Sequence, residues 1–186
     1  MRRFLFSLVV AMLAIPFVSS ALVPVVTIGS NVGTTICAGT SVTFVSFSSY
    51  QGTSPTYQWR VNGVNVGTGM STYTTTTLAN GDVITCVMHS SDNRADPDSA
   101  VSNSLVMTVN ANVTPSVNIS ANTGTTICDG ASVTFTATPT NGGTTPSYQW
   151  KVNGANVGTN SNTYTTSSLV QGHAVTCVMT SNATCP

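Results

Sequence analysis

Apolar and polar residues alternate in short runs along the chain, and this period of two predicts β-strands. Residues 57–61 read Tyr-Gln-Trp-Arg-Val, with the apolar side chains on one face and the polar ones on the other. Other runs predict strands over residues 41–45, 64–66, 72–78, 83–88 and 100–109. Clusters of Gly, Asn, Ser and Pro separate the runs, and no window has a helical period. The pattern therefore predicts an all-β protein.

The turn after residues 57–61 has a specific chemistry. Asn62-Gly63 joins this run to the run at 64–66. Asn-Gly is typical of a two-residue type I′ hairpin because both of its central residues need a positive φ. With about seven strands in about 90 residues, the pattern favours a two-sheet Greek-key sandwich.

The whole pattern occurs twice at a constant offset of 91 positions. The landmarks that recur are Cys37 as Cys128, Phe44 as Phe135, Trp59 as Trp150, Tyr73 as Tyr164 and Cys86 as Cys177. A unit of this length can enclose its own core. We therefore predict two tandem sandwiches, residues 21–111 and 112–186. Their structural core is predicted to include Phe44, Trp59, Phe135 and Trp150.

The second copy is shorter than the first. Counterparts of residues 100–109 would fall at 191–200, beyond Pro186, so the second sandwich is expected to lack its last strand. Either the chain is a fragment of a longer array, which we expect, or another chain fills the open edge as in donor-strand polymers. The short polar segment at 110–115 predicts a semi-rigid rod of two modules.

The first residues have the pattern of an export signal. Two arginines follow Met1, an apolar run covers 4–18, and small residues stand at 19–21. This predicts a secretory signal peptide at residues 1–20, because the run is too short for a membrane-spanning helix. The mature chain is expected to be secreted or to lie at the extracellular cell surface, without membrane insertion.

Charge is scarce. Charged residues are 5% of the chain, against roughly 25% in typical globular proteins. Outside the signal region the basic residues are Arg60, Arg94 and Lys151. Three scattered cations cannot neutralise a row of phosphates, which excludes a nucleic-acid partner.

Five cysteines in an exported chain indicate disulfides. The constant offset predicts that a Cys37–Cys86 bridge would be matched by Cys128–Cys177, although each pair could instead be two buried thiols. Cys185 breaks the repeat, because Arg94 stands at the matching position. It could compete with Cys177 for Cys128, or have a partner outside this sequence.

Three strings with their second copies carry a family resemblance. Residues 35–44, 55–63 and 78–86 resemble the immunoglobulin-like and PKD-like repeats of secreted surface proteins of Bacteroidota, of adhesin or gliding type. The resemblance implies immunoglobulin-like sandwiches, export, and a C-terminal sorting domain, of which no trace is visible. Cys37 precedes Trp59 by 22 residues, against roughly 12 to 14 in antibody domains, so the antibody disulfide is not carried over.

Little in the sequence indicates a catalytic function. The sequence has no nucleophile elbow, metalloprotease helix, phosphate loop or Cys-x-x-Cys pair, which indicates that the chain is not an enzyme. His89 and His173 occupy different positions in the repeat and are expected to be solvated turn residues. No cofactor is expected.

One acidic loop is the candidate metal site. Asp92, Asp96 and Asp98 lie within seven residues, and oxygen-rich loops suit Ca²⁺. Against this, Arg94 brings a competing positive charge, and a solvated loop is the simpler interpretation.

The sequence thus favours a non-catalytic surface module, adhesive or spacer, in a larger repeat array. Its partner would be an extracellular protein or glycan surface of unknown identity. The alternatives are a carbohydrate-binding accessory module of a secreted enzyme and a donor-strand-type polymerising subunit. Ligand, repeat number and any domain after Pro186 lie beyond the sequence.

Overall fold

The computed structural model of the chain describes residues 21–186, so the predicted signal peptide at 1–20 lies outside the described residues. Within this range the secondary structure consists of β-strands. None of its segments is a helix long and apolar enough to cross a membrane. The predicted all-β class is confirmed.

The first sandwich, strands β1 to β10, has two main sheets. Its strands are β1 (Val25–Ser30), β2 (Thr35–Cys37), β3 (Val42–Ser49), β4 (Thr56–Val61), β5 (Val64–Val66), β6 (Thr72–Thr75), β7 (Val83–His89), β8 (Ser99–Val101), β9 (Leu105–Val106) and β10 (Thr108–Asn110). One sheet has the order β1-β3-β6, and the other has the order β5-β4-β7-β8 with β9 also on β7. A third, small ladder joins β10 to β2 in parallel. β1 therefore lies in a main sheet, whereas β2 lies in the small ladder.

The second sandwich, strands β11 to β16, repeats this order with fewer strands. Its strands are β11 (Ser116–Ala121), β12 (Val133–Thr140), β13 (Ser147–Val152), β14 (Ala155–Val157), β15 (Thr163–Thr166) and β16 (Val175–Thr180). The sheets are β11-β12-β15 and β14-β13-β16. Two tandem immunoglobulin-like sandwiches are thus confirmed as the fold. Among residues 21–186 the second has no counterpart of β2 or of β8 to β10, while the domain boundary at 111/112 stays a prediction.

The hairpin turn predicted from Asn62-Gly63 is confirmed. Both residues have positive φ, 52° and 79°, as a type I′ turn requires. The second copy repeats this at Asn153 and Gly154, with 50° and 83°. These turns set the registers Trp59 opposite Val66 and Trp150 opposite Val157.

Each sandwich packs around a tryptophan. Trp59 and Trp150 are both fully buried, and each indole N–H donates a 2.9 Å hydrogen bond to a backbone carbonyl, of Met70 and of Ser161. Three aromatic rings cluster in each core, with centroids 5.9–6.3 Å apart. The rings are Phe44, Trp59 and Tyr73 in the first sandwich and Phe135, Trp150 and Tyr164 in the second.

The strand predicted over residues 100–109 is broken into three. β8 and β9 pair with different parts of β7, and between them Ser102 donates its N–H to the Cys86 carbonyl while its hydroxyl accepts the Cys86 N–H. Asn103 then turns towards β1. Its side-chain oxygen accepts the Ile28 N–H at 2.8 Å, and its amide donates to the Ile28 carbonyl at 3.3 Å. The break therefore joins the edges of the two sheets.

Candidate functional site

The junction between the sandwiches is held by backbone and side-chain hydrogen bonds along the linker. On the first sandwich, Ala38 donates its N–H to the Asn110 carbonyl at 2.9 Å and accepts from the Asn112 amide at 3.2 Å. On the second, Val113 donates its N–H to the Cys185 carbonyl at 2.8 Å, and the Asn141 amide donates to the Thr114 carbonyl at 3.0 Å. The linker is thus hydrogen-bonded to both sandwiches.

A disulfide crosses the same junction. Cys37, at the end of β2, is bonded to Cys185, with the two Cα atoms 5.5 Å apart and the two residues 148 positions apart in sequence. The pairings Cys37–Cys86 and Cys128–Cys177 predicted from the repeat are wrong. Cys37 lies at the end of the first sandwich that faces the linker, whereas Cys86 lies inside its core. The cysteine that breaks the repeat is the one that forms the bridge.

The remaining three cysteines are free thiols in different surroundings. Cys86 is fully buried, and burial raises the pKa of its thiol to about 11. Cys177 is half-buried, and burial likewise raises its pKa, with a smaller opposing effect from the backbone of Gln149. Cys128 is exposed. A thiol reacts as its thiolate, so only Cys128 combines a free thiol with open access.

The acidic loop does not form the predicted calcium site. Asp92 is bound by Arg94 through a salt bridge of 3.0 Å, and hydrogen bonds from this guanidinium hold the pKa of the Asp92 carboxyl below its usual value. Within residues 21–186, no three Asp, Glu, His or Cys side chains come together as a metal-binding group. Asp92, Asp96 and Asp98 are therefore close in sequence without forming such a group. The loop turns back to the start of the sandwich, where Asp96 donates its N–H to the Leu22 carbonyl at 3.0 Å.

The two histidines lie in unlike places. His89 ends β7 opposite Ser99, and its side chain is exposed. His173 follows a turn in the second sandwich, where its Nδ1 accepts the Val170 N–H at 3.3 Å. Neither forms a catalytic pair with a nucleophile that the structure describes.

A cleft of about 880 Å³ opens into the second sandwich. Its apolar lining includes Ile119, Ala121, Ile127, Val133, Phe135, Leu169, Val170 and Val175, and Cys128, Asp129 and His173 also line it. The lining is less covered than in the first sandwich: Ile119 is 37% exposed, whereas its counterpart Ile28 is 6% exposed. The repeat predicts a missing strand here, but the opening of the core itself is visible only in the structure.

Two exposed aromatic residues occur only in the first sandwich. Phe47 on β3 is 63% exposed, and Tyr50, just after β3, is 54% exposed with a φ of 55°. Thr138 and Asn141 stand at the matching positions of the second copy.

Comparison with known proteins yields only a distant structural similarity. No family model matches the chain, and no curated protein does. Among solved structures, it is similar to the fibronectin(III)-like modules of CbhA from Clostridium thermocellum. The identity is 15% and the TM-score 0.39, over 84% of this chain and 86% of that one. A likeness of this size supports no functional assignment.

Proposed function

We propose that the protein is a non-catalytic, secreted cell-surface module that serves as a spacer or adhesive element in a larger repeat array. The junction carries this proposal. Four linker hydrogen bonds and the Cys37–Cys185 bridge hold the two sandwiches together at the linker. Such bracing suits a part that sets distance and orientation, as in the surface repeats of Bacteroidota that the sequence resembles. Its partner would be an extracellular protein or glycan surface.

The covalent path through the junction gives a mechanical test of the spacer role. Tension applied at residues 21 and 186 passes through Cys37 and Cys185, and the chain between them lies inside the closed loop. In single-molecule pulling, the oxidised protein should therefore lengthen by about 500 Å less than the reduced protein, at roughly 3.4 Å per residue. A matched Cys37→Ser variant should behave as the reduced form. Equal extension in both states would count against a braced spacer.

A carbohydrate-binding accessory role is the second candidate, favoured by one observation. Phe47 and Tyr50 expose aromatic rings that have no structural counterpart in the other copy. Exposed rings of this kind can stack on sugars. Binding on a glycan array that disappears in a Phe47→Ala and Tyr50→Ala double variant would favour this role, with Val64→Ala as the control for an exposed strand residue. Binding to no glycan would leave the spacer role ahead.

A further inference from the structure

We infer that the cleft of the second sandwich is an acceptor for an extended polypeptide strand with apolar side chains at every second position. The strand would pair in parallel with residues 126–128 and complete the core, as residues 105–110 do in the first sandwich. This names a partner for the second sandwich and does not depend on the spacer role. The internal repeat supplies the argument, because the same site is present twice, once filled and once open.

The side chains that line the cleft have counterparts in the first sandwich, where the matching site is filled by the chain's own last strands. Ala121 and Val170 of the lining match Ser30 and Ala79, which are outside the buried core of the first sandwich. The other six apolar lining residues have these counterparts 91 positions earlier: Ile28, Ile36, Val42, Phe44, Leu78 and Ile84. All six counterparts belong to the buried core of the first sandwich, together with Met107. Leu105 and Val109 pack against that core as well. The cleft is thus the position that these three residues occupy in the first copy.

The backbone around the cleft matches in the same way. In the first sandwich, Gly81 donates its N–H to the Met107 carbonyl at 2.8 Å, and Met107 donates its N–H to the Asp82 carbonyl at 2.8 Å. Thr108 donates to the Thr34 carbonyl at 2.7 Å.

The counterpart groups in the second sandwich are the Gly172 N–H and the carbonyls of His173 and Thr125. They make no backbone hydrogen bond with residues 21–186. One edge of β16 pairs with β13, and the other edge has no strand partner in the same range. An unpaired row of donors and acceptors beside an apolar cleft is a template for strand addition.

The chemistry of the occupant follows from the filled site. Met107 is 1% exposed, whereas its neighbour Val106 points outward and is 58% exposed. The inward positions are apolar, and a charged side chain there would be buried without a partner. The occupant is therefore a segment of the Leu-x-Met-x-Val type. Its C-terminal end extends beyond Cys128 and Asp129.

A second copy of this chain is not expected to supply the strand. Its own residues 105–110 are already paired with β2 and β7 and are held by the buried Met107. Removing them would open the first sandwich of that copy. The acceptor site is thus expected to stay vacant in the chain alone and to be filled by a strand that is not already folded.

The test adds a synthetic peptide with the sequence of residues 99–112 to the oxidised chain 21–186 and measures binding by titration calorimetry. We expect saturable one-to-one binding and a raised melting temperature. A peptide carrying Leu105→Asp and Met107→Asp should bind at least about tenfold more weakly. Because the control lies in the peptide, the comparison does not depend on any variant of the protein folding.

Variants of the protein localise the site. Ile127→Asp in the cleft should weaken binding at least about tenfold, since it places a charge in the apolar lining. Ala155→Asp, at an exposed position of β14 on the opposite edge of that sheet, should leave binding unchanged. Equal binding of both peptides, absence of binding, or a stable dimer of the chain alone in sedimentation would overturn the proposal.

The register in which the peptide pairs with residues 126–128 can be tested separately by disulfide exchange. Asn110 lies opposite Cys37 in the first sandwich, so the same peptide position should lie opposite Cys128. A peptide carrying Asn110→Cys as its mixed disulfide with thionitrobenzoate should be attacked by the Cys128 thiolate. The new bond joins the two cysteine sulfurs, and thionitrobenzoate leaves with the electron pair. A peptide activated at Val106→Cys instead should react at least about tenfold more slowly; equal rates would overturn the parallel register.

Discussion

Each cysteine of this protein has a chemistry set by its place in the fold. Cys37 and Cys128 occupy the same position of the repeat, yet one is bridged and the other is an exposed thiol. Cys86 and Cys177 also match, and one is fully buried while the other is half-buried. The repeat therefore specifies residue identity without specifying bonding. The bonding depends on what lies beside each copy.

Thiol labelling of the oxidised protein should follow this order. At pH 8, Cys128 should react with iodoacetamide first and Cys177 more slowly. Cys86 should react only on unfolding, because its pKa near 11 and its burial both keep the thiolate scarce. Raising the pH to 9 should still leave Cys86 unlabelled, since this pH stays below its pKa and the side chain stays buried. Peptide mass spectrometry gives the site of each label.

Two results would contradict this account. Labelling of Cys37 or Cys185 without reduction would mean that the junction disulfide is absent. Protection of Cys128 together with Cys177 would restore the pairing first predicted from the repeat.

At the scale of the elements, the last strands of the first sandwich close its core. Phe44 is fully buried beneath β9 and β10, whereas its counterpart Phe135 is half-buried at the cleft. Burial of apolar area is the main favourable contribution to folding. Identical side chains at matching positions should therefore contribute different amounts to the stability of the two sandwiches.

Matched substitutions measure this difference. Phe44→Ala should cost about 3–5 kcal/mol, the usual range for a buried phenylalanine. Phe135→Ala should cost less than about half as much, because the cleft already exposes part of the ring. Hydrogen exchange of β7 and β16 reports the two sandwiches separately. Equal losses would show that the second core is closed in solution.

The link between the two sheets of the first sandwich can be tested at Asn103. Its side chain bonds both backbone groups of Ile28, and Asn103→Ala leaves these groups without that partner. We expect a loss of about 1 kcal/mol in the free energy of unfolding, measured by chemical denaturation. Asn65→Ala, which removes a surface bond from Arg60, should change it by less than about 0.5 kcal/mol. A similarly small loss of unfolding free energy in both variants would contradict the role of Asn103 in linking the two sheets.

For the whole molecule, the junction decides whether two sandwiches behave as one body. With the Cys37–Cys185 bridge intact, NMR relaxation should show both sandwiches tumbling together. In a Cys185→Ser variant each should tumble faster, because only the linker hydrogen bonds remain. Unchanged tumbling would mean that the linker alone holds the two sandwiches.

The sequence by itself determined the all-β class, the tandem sandwiches and the hairpin turns. Strand alternation and the φ demands of Asn62-Gly63 are local properties, so they are readable without a structure. The repeat also identified the position of the missing strand. These features depend on residues near one another in the chain, or on one copy matching the other.

Only the tertiary structure decided the disulfide and the open cleft. Cys37 and Cys185 are 148 residues apart, and nothing in their local sequence indicates that the linker brings them together. Likewise, Asp92, Asp96 and Asp98 are neighbours in sequence that do not come together as a metal-binding group in the described residues. The cleft exists because β8 to β10 have no counterpart among residues 21–186, which leaves Ile127 and Leu169 uncovered. Contacts between distant segments depend on how the modules pack, and that packing is absent from any local pattern.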